Sequence, residues 1–330
     1  MPAPESLEAR IFADPDAAET LALEVFRRQY KANPVYREFS DRLGRDLSRV
    51  RRTEEIPFLP VEFFKTHRVA SFPENREAPI LFRSSGTTAR ERSQHLVHSP
   101  EVCERSFLES FRRVYGHPDG YRILALLPGY SERGDASLVH MVHGLMKASG
   151  HPEAGFFLDD RDRLRTLLSA PCERTTLLIG VSFALLDLAE AAPLQVKNTV
   201  VMETGGMKGR RREITRAELH RRLAAGFGTE QIHSEYGMTE LLSQAYAPFG
   251  GRFKAPPWMK ISLRDINDPL SPAPEGRTGA VNITDLANLY SCSFIATDDL
   301  GRLHSDGSFE ILGRTDFSDI RGCNLMVSDL

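Results

Sequence analysis

Five short stretches of this 330-residue chain bring together residue types that can do chemistry. In "FRSSGTTARERSQ", Ser84, Ser85, Gly86, Thr87 and Thr88 follow the apolar run "PILF". Small hydroxyl residues around a glycine leave backbone N–H and side-chain O–H donors free to hold phosphate oxygens. A plain polar turn has the same composition, and the spacing is not that of a P-loop. In "METGGMKGRR", an apolar strand pattern runs into Gly205 and Gly206, where backbone can approach a flat ligand closely. The basic run Lys208, Arg210, Arg211 and Arg212 reads as a solvated face or as a surface for an acidic partner. In "SEYGMTELLSQAY", Tyr236 can stack on a base and Gly237 permits close approach. Thr239 and Glu240 offer oxygens to a phosphate and to Mg²⁺, a hard cation. The same residues suit a strand end followed by a helix N-terminus. In "FIATDDLG", Asp298 and Asp299 precede Gly301, and a carboxylate at a strand end can accept both hydroxyls of a ribose. An Asp-rich turn is the plainer alternative. The last stretch, "GRTDFSDIRGCNLMVSDL", holds Arg314 as a fixed cation, Asp316 as a pivot and Cys323 beyond it. A hinge needs only a few residues that absorb a dihedral change.

In this order the stretches resemble the motifs of the adenylate-forming superfamily of acyl-CoA synthetases, luciferases and peptide-synthetase adenylation domains. Ser84 to Thr88 resembles the phosphate loop SSGTTGxPK, Gly205–Gly206 the adenine-side loop, and Tyr236 to Glu240 the YGxTE motif. Thr297, Asp299 and Gly301 match TGDxG with Asp298 in place of the usual glycine, and Gly313, Arg314 and Asp316 match GRxD. A nearer resemblance is carried by "IPFLPVEFFKTHRV", "LPGYSERGDASLVHMV", "TGGMKGRR", "SEYGMTELLSQAY" and "PPWMKISLRD". Together these are similar to the acyl-protein synthetase family of bacterial luminescence, LuxE.

That resemblance implies an α/β fold of the adenylate-forming N-terminal type, with a C-terminal domain absent or reduced to a short tail. It implies activation of a carboxylic acid, fatty in that family, by ATP with Mg²⁺. It also implies transfer of the acyl group to a cysteine near the C-terminus, matched here by Cys323, and onward transfer to an acyl reductase. Two departures stand out. The phosphate loop reads "TTARERS", which makes Arg90 or Arg92 the candidate cation, and the lysine that larger relatives carry in their C-terminal domain has no counterpart. The same fold admits an acyl-CoA ligase that uses CoA instead of Cys323, or a binding subunit without turnover.

Free cysteines are often small buried hydrophobes, and Cys103 and Cys172 are read so. Cys323 differs by its place after the hinge. Seven residues separate it from Asp316, so an extended tail can carry the thiol through roughly 23 Å. Arg321 beside it favours the thiolate, the reactive form.

These residues need elements to hold them. Asp14 followed by Pro15 starts a helix, and Ala22, Phe26 and Tyr30 share one of its faces. From residue 78, apolar runs "ILALL", "TTLLIG" and "TVVMET" alternate with helical stretches "DRLRTLLSA" and "TRAELHRRLAAG". The second helix opens on a capping box, Thr215 with Glu218, and ends near Gly226 and Gly228. Alternation of this kind predicts an α/β sheet. Strands "AVNITDL" and "FEILG" follow in a β-rich part. His140 and His143 on "SLVHMVHGLM" are read as core or pocket-lining. The expected organisation is a helical part at 1–77, an α/β nucleotide-binding core at 78–249, a β-rich subdomain at 250–312 and a hinge with a cysteine-bearing tail at 313–330.

Hydrophobic residues make up 41% of the chain, enough for a core, and the net charge of -3 argues against nucleic acid as a partner. The four cysteines form no CxxC pair and no zinc spacing, which predicts reduced thiols in a cytoplasmic protein. No signal peptide is expected at "MPAPESLEARIF", and no apolar stretch approaches the roughly 20 residues of a membrane span.

Overall fold

The computed structural model describes residues 6–44, 46–85, 92–205 and 214–314. Two compact units emerge, one made of residues 1–77 and 257–330, the other of residues 78–256.

The first unit begins with helices α1 (Leu7–Ala13), α2 (Ala18–Ala32) and α3 (Pro34–Arg42). Asp14 accepts a hydrogen bond from the Asp16 amide and Pro15 opens a 3-10 turn, which leads directly into α2. Ala22 and Phe26 on the expected face are buried. A two-residue strand, β1 (Leu59–Pro60), and a single helical turn, α4 (Phe63–Thr66), complete the N-terminal segment.

The second unit opens on a hairpin, β2 (Ile80–Arg83) with β3 (Gln94–Val97), which pairs Phe82 with His95. Then come α5 (Pro100–Tyr115), β4 (Tyr121–Leu126), α6 (Tyr130–Arg133), α7 (Ser137–Ser149) and β5 (Gly155–Phe156). After them follow α8 (Arg161–Ser169), β6 (Thr175–Val181), α9 (Ser182–Ala191) and β7 (Thr199–Thr204). Last come α10 (Arg216–Phe227), β8 (Ile232–Tyr236) and β9 (Ala245–Ala247). The sheet order is β5-β4-β6-β7-β8-β9, parallel except for β9. Parallel strands joined through helices are buried on both faces, and β4, β6 and β7 are mostly apolar and buried, with Arg122, Thr176 and Glu203 among the buried polar exceptions. Thr215 accepts the Glu218 amide at the start of α10, and Gly228 ends the helix in the left-handed conformation, as its caps predict.

The chain then completes the first unit with β10 (Met259–Arg264), β11 (Gly279–Asp285), β12 (Phe294–Leu303) and β13 (Phe309–Arg314). These are antiparallel in the order β10-β11-β12, with β13 on β12 and β1 parallel to β12. Phe294 of β12 meets Phe26, Phe58 and Tyr36, the last stacked at 6.1 Å. The N-terminal helices therefore share a core with the β-rich segment. Among the described residues no helix is long and apolar enough to cross a membrane.

Candidate active site

In open α/β sheets, ligands bind outside the carboxyl ends of the strands. In the second unit, Gly205 follows β7, Tyr236 ends β8 and Gly237 follows it. Gly205 takes φ 65°, which favours glycine. Gly237 lies against Glu235: a Cβ there would sit 2.6 Å from Glu235 Oε1, so the carboxylate would have to move. Tyr236 is buried, with its ring 5.8 Å from that of Phe253. Thr239 and Glu240 lie in a turn, where a helix N-terminus is the other reading of this stretch, and Glu240 is buried.

The Ser-Ser start of the phosphate-loop stretch sits at the mouth of the β2–β3 hairpin. Ser84 and Ser93 close its base, since the Ser84 amide donates to the Ser93 carbonyl and the Ser93 amide donates to Ser84 Oγ at 2.8 Å. Gly86, Thr87, Thr88 and Gly206 lie outside the described residues, as does Cys323. The hairpin is fastened at two points. The Arg83 amide donates to the Asp135 carbonyl at 2.7 Å, just before α7. Nδ1 of the buried His95 lies 2.9 Å from the Thr239 carbonyl.

Two carboxyls at these strand ends escaped the motif reading. Glu203 and Glu235 are buried, on neighbouring strands. Burial would raise Glu203, but the hydrogen bond from His220 and the charge of Arg216 outweigh it and hold the carboxyl below the usual range. Burial pushes Glu235 up to about 7 against the hydrogen bond it accepts from Thr204. One carboxyl is thus ionised while its neighbour is poised near neutrality. The signal was present as a glutamate inside each apolar strand run, "VVMET" and "IHSEY". His140 and His143 on α7 are both held below the usual imidazole range, chiefly by burial, and His140 packs edge-on to Phe82.

In the first unit, Asp299 and Arg314 come together. They are register partners on β12 and β13, and Arg314 Nε donates to Asp299 Oδ1 at 3.1 Å. Asp299 is buried at 5% exposure, and its amide donates to Thr297 Oγ1. The expectation of a carboxylate at a strand end needs correction, because Asp299 lies inside the ten-residue β12. Both aspartates lie within β12, pairing with β13 begins at Asp299, and a register shift at Leu300/Gly301 marks an irregularity. Asp298 faces Glu62, and burial followed by that neighbour pushes it up to about 6. Gly313 and Arg314 belong to β13.

Among the described residues no group of three His, Cys, Asp or Glu side chains is placed to hold a metal.

Solved structures share this fold. The ATP-bound MatB from Rhodopseudomonas palustris is 21% identical, with a TM-score of 0.51 over 71% of this chain and 47% of that one. An open conformation of 2-hydroxyisobutyryl-CoA ligase, in complex with 2-HIB-AMP and CoA, is 15% identical, with a TM-score of 0.63 over 96% and 75%. The same ligase in its postadenylation state, with R3-HIB-AMP, gives 13% and a TM-score of 0.65 over 96% and 72%. The chain spans about half the length of the first of these. No curated protein matches the sequence.

The fold is therefore that of the adenylate-forming enzymes. Residues 175–330 match the family described as Acyl-protein synthetase, LuxE, the family that the sequence motifs resemble.

Proposed function

We propose that this protein activates a carboxylic acid, fatty by family, with ATP, loads the acyl group onto Cys323 and delivers it to an acyl reductase. It would then be an acid–thiol ligase of the acyl-protein synthetase type. The observation that carries this reading is the family match over 175–330, which takes in Glu240, Asp299, Arg314 and Cys323 together.

A carboxylate is a poor acyl donor, and splitting the transfer into two easier steps is the logic of covalent catalysis. A carboxylate oxygen of the acid attacks the α-phosphorus of ATP, and the bond to pyrophosphate breaks. The Cys323 thiolate then attacks the acyl carbon, and AMP leaves with the electron pair of the broken C–O bond. In this reading Ser84, Ser85, Gly86, Thr87, Thr88 and Thr239 hold phosphate oxygens. Gly205, Gly206, Tyr236 and Gly237 form the base side, Asp299 accepts the ribose hydroxyls and Arg314 supplies a fixed cation. Mg²⁺ at Glu240 would neutralise phosphate charge. The proposed hinge and tail at 313–330 overlap the end of β13, since Gly313 and Arg314 are strand residues beside the large domain of residues 1–312, and the protein is proposed to work in the cytoplasm.

A screen of acids for acid-dependent exchange of labelled pyrophosphate into ATP tests the first step. Exchange with an aliphatic acid, and label retained on the denatured protein, are the expected results. One neighbour is a CoA ligase in complex with 2-HIB-AMP and CoA, so acyl-CoA accumulating with the protein unlabelled would make this chain a CoA ligase. ATP binding without exchange for any acid would make it a binding subunit.

A further inference from the structure

We propose that His95 is a positioning residue that ties the phosphate-loop hairpin to the Thr239–Glu240 turn, so that its hydrogen bond couples the two phosphate-binding stretches. The proposal rests on the adenylation reading of those stretches, and it goes beyond the motifs, none of which includes His95.

The geometry is direct. His95 is 1% exposed, and its Nδ1 lies 2.9 Å from the Thr239 carbonyl, 144 residues away in sequence. A carbonyl can only accept, so Nδ1 carries the proton and donates. Burial pushes the ring down to about 4, so His95 is neutral at ordinary pH and acts by orientation, not by charge. The Thr239 carbonyl and the Glu240 amide belong to one rigid peptide plane. Holding the carbonyl therefore fixes the backbone from which the Glu240 side chain departs.

The other end of the tie is equally defined. His95 stands two residues beyond Ser93, which closes the loop base with Ser84, and pairs across the hairpin with Phe82. The Phe82 ring packs edge-on to His95 at 6.4 Å and to His140 at 5.2 Å. Three residues after the turn, Ser243 Oγ lies 2.9 Å from that of Ser106 on α5. A valine at 95 would suit the surrounding core but would leave the Thr239 carbonyl, a part-buried acceptor, without this donor.

Two full-length variants separate positioning from packing. His95→Asn keeps a donor near the Nδ1 position, whereas His95→Phe fills the space without one. Acid-dependent pyrophosphate exchange is measured across Mg²⁺ concentrations, alongside hydrogen exchange of the amides at 237–242. His95→Phe should lose about tenfold in kcat, need several-fold more Mg²⁺ and keep KM for the acid within about twofold. Its turn amides should exchange faster, and His95→Asn should stay within about threefold of wild type by every readout. Combined with Glu240→Gln, His95→Phe should add little further loss, because both changes act on one group. Equal damage from both substitutions, or a lower Tm with an unchanged Mg²⁺ response, overturns the proposal. If the phenylalanine variant does not fold, nitrogen NMR of the wild-type imidazole decides, since a proton on Nε2 alone also overturns it. A wild type that exchanges no pyrophosphate sinks the adenylation reading by itself, and the amide exchange rates then judge the tie.

Discussion

Asp298 and Asp299 are adjacent and have opposite surroundings. Asp299 is buried and meets Arg314, while Asp298 faces Glu62 across to α4. On the proposed adenylation reading, the ribose role is assigned to Asp299. Asp299→Ala should weaken ATP binding at least tenfold, about 1.4 kcal/mol, and Asp298→Ala should do much less. Calorimetry that finds equal ATP affinity in wild type and Asp299→Ala removes the assignment. Asp298 makes a separate prediction about stability. Its carboxyl is raised from 3.8 to about 6. Between those values the folded chain holds more protons than the unfolded chain, so this group costs stability as pH rises through the window. Asp298→Asn keeps the shape and drops the charge. It should raise Tm at pH 7.5, and the gain should be largely gone at pH 4. A gain of the same size at both pH values would trace it to something other than this carboxyl. At this scale the sequence drew attention to Asp299 and Glu240, and the structure shows that both are buried. It was silent on His95, because the Thr239 carbonyl that gives His95 its meaning is reached only through the fold.

Elements were legible where their signals are local. Asp14–Pro15, Thr215 with Glu218, and Gly228 mark helix ends through hydrogen bonds within a few residues. Pairings between distant segments were not legible. The strand β1 has two residues and exists only because Leu59 and Pro60 pair with Ile295 and Ala296. The link from α2 to the β12 region is similarly hidden. Gln29 is fully buried; its Nε2 donates to the Asn288 and Leu289 carbonyls and to Ser293 Oγ, and its Oε1 accepts the Ser293 amide. A polar residue on an apolar helix face looks like an irregularity until the loop it serves is known. Gln29→Leu preserves volume and strands these buried groups, so it should cost about 2–4 kcal/mol of stability. Urea unfolding should show a lower midpoint with an unchanged slope. A change below about 0.5 kcal/mol, the size of an ordinary surface substitution, would mean that the loop finds other partners.

At the scale of the whole molecule, the order of the motifs was more telling than composition, because each motif alone also fits a turn or a solvated face. What the sequence left open is the acyl acceptor, and the cysteines frame that question. Cys103 and Cys292 are buried, and burial pushes the Cys292 thiol up to about 12, far from a usable thiolate. Cys172 is partly exposed, with its sulfur 3.7 Å from His151 Nε2, which makes it the natural control. If Cys323 is the acceptor, the two half-reactions must separate. Cys323→Ala should still exchange pyrophosphate into ATP when acid is present, because adenylation needs no thiol. It should hold no labelled acyl group and should not feed a reductase. The wild type and Cys172→Ala should both carry label that hydroxylamine removes, as expected of a thioester. Hydroxylamine-sensitive label that survives in Cys323→Ala and disappears in Cys172→Ala would move the acyl group to Cys172.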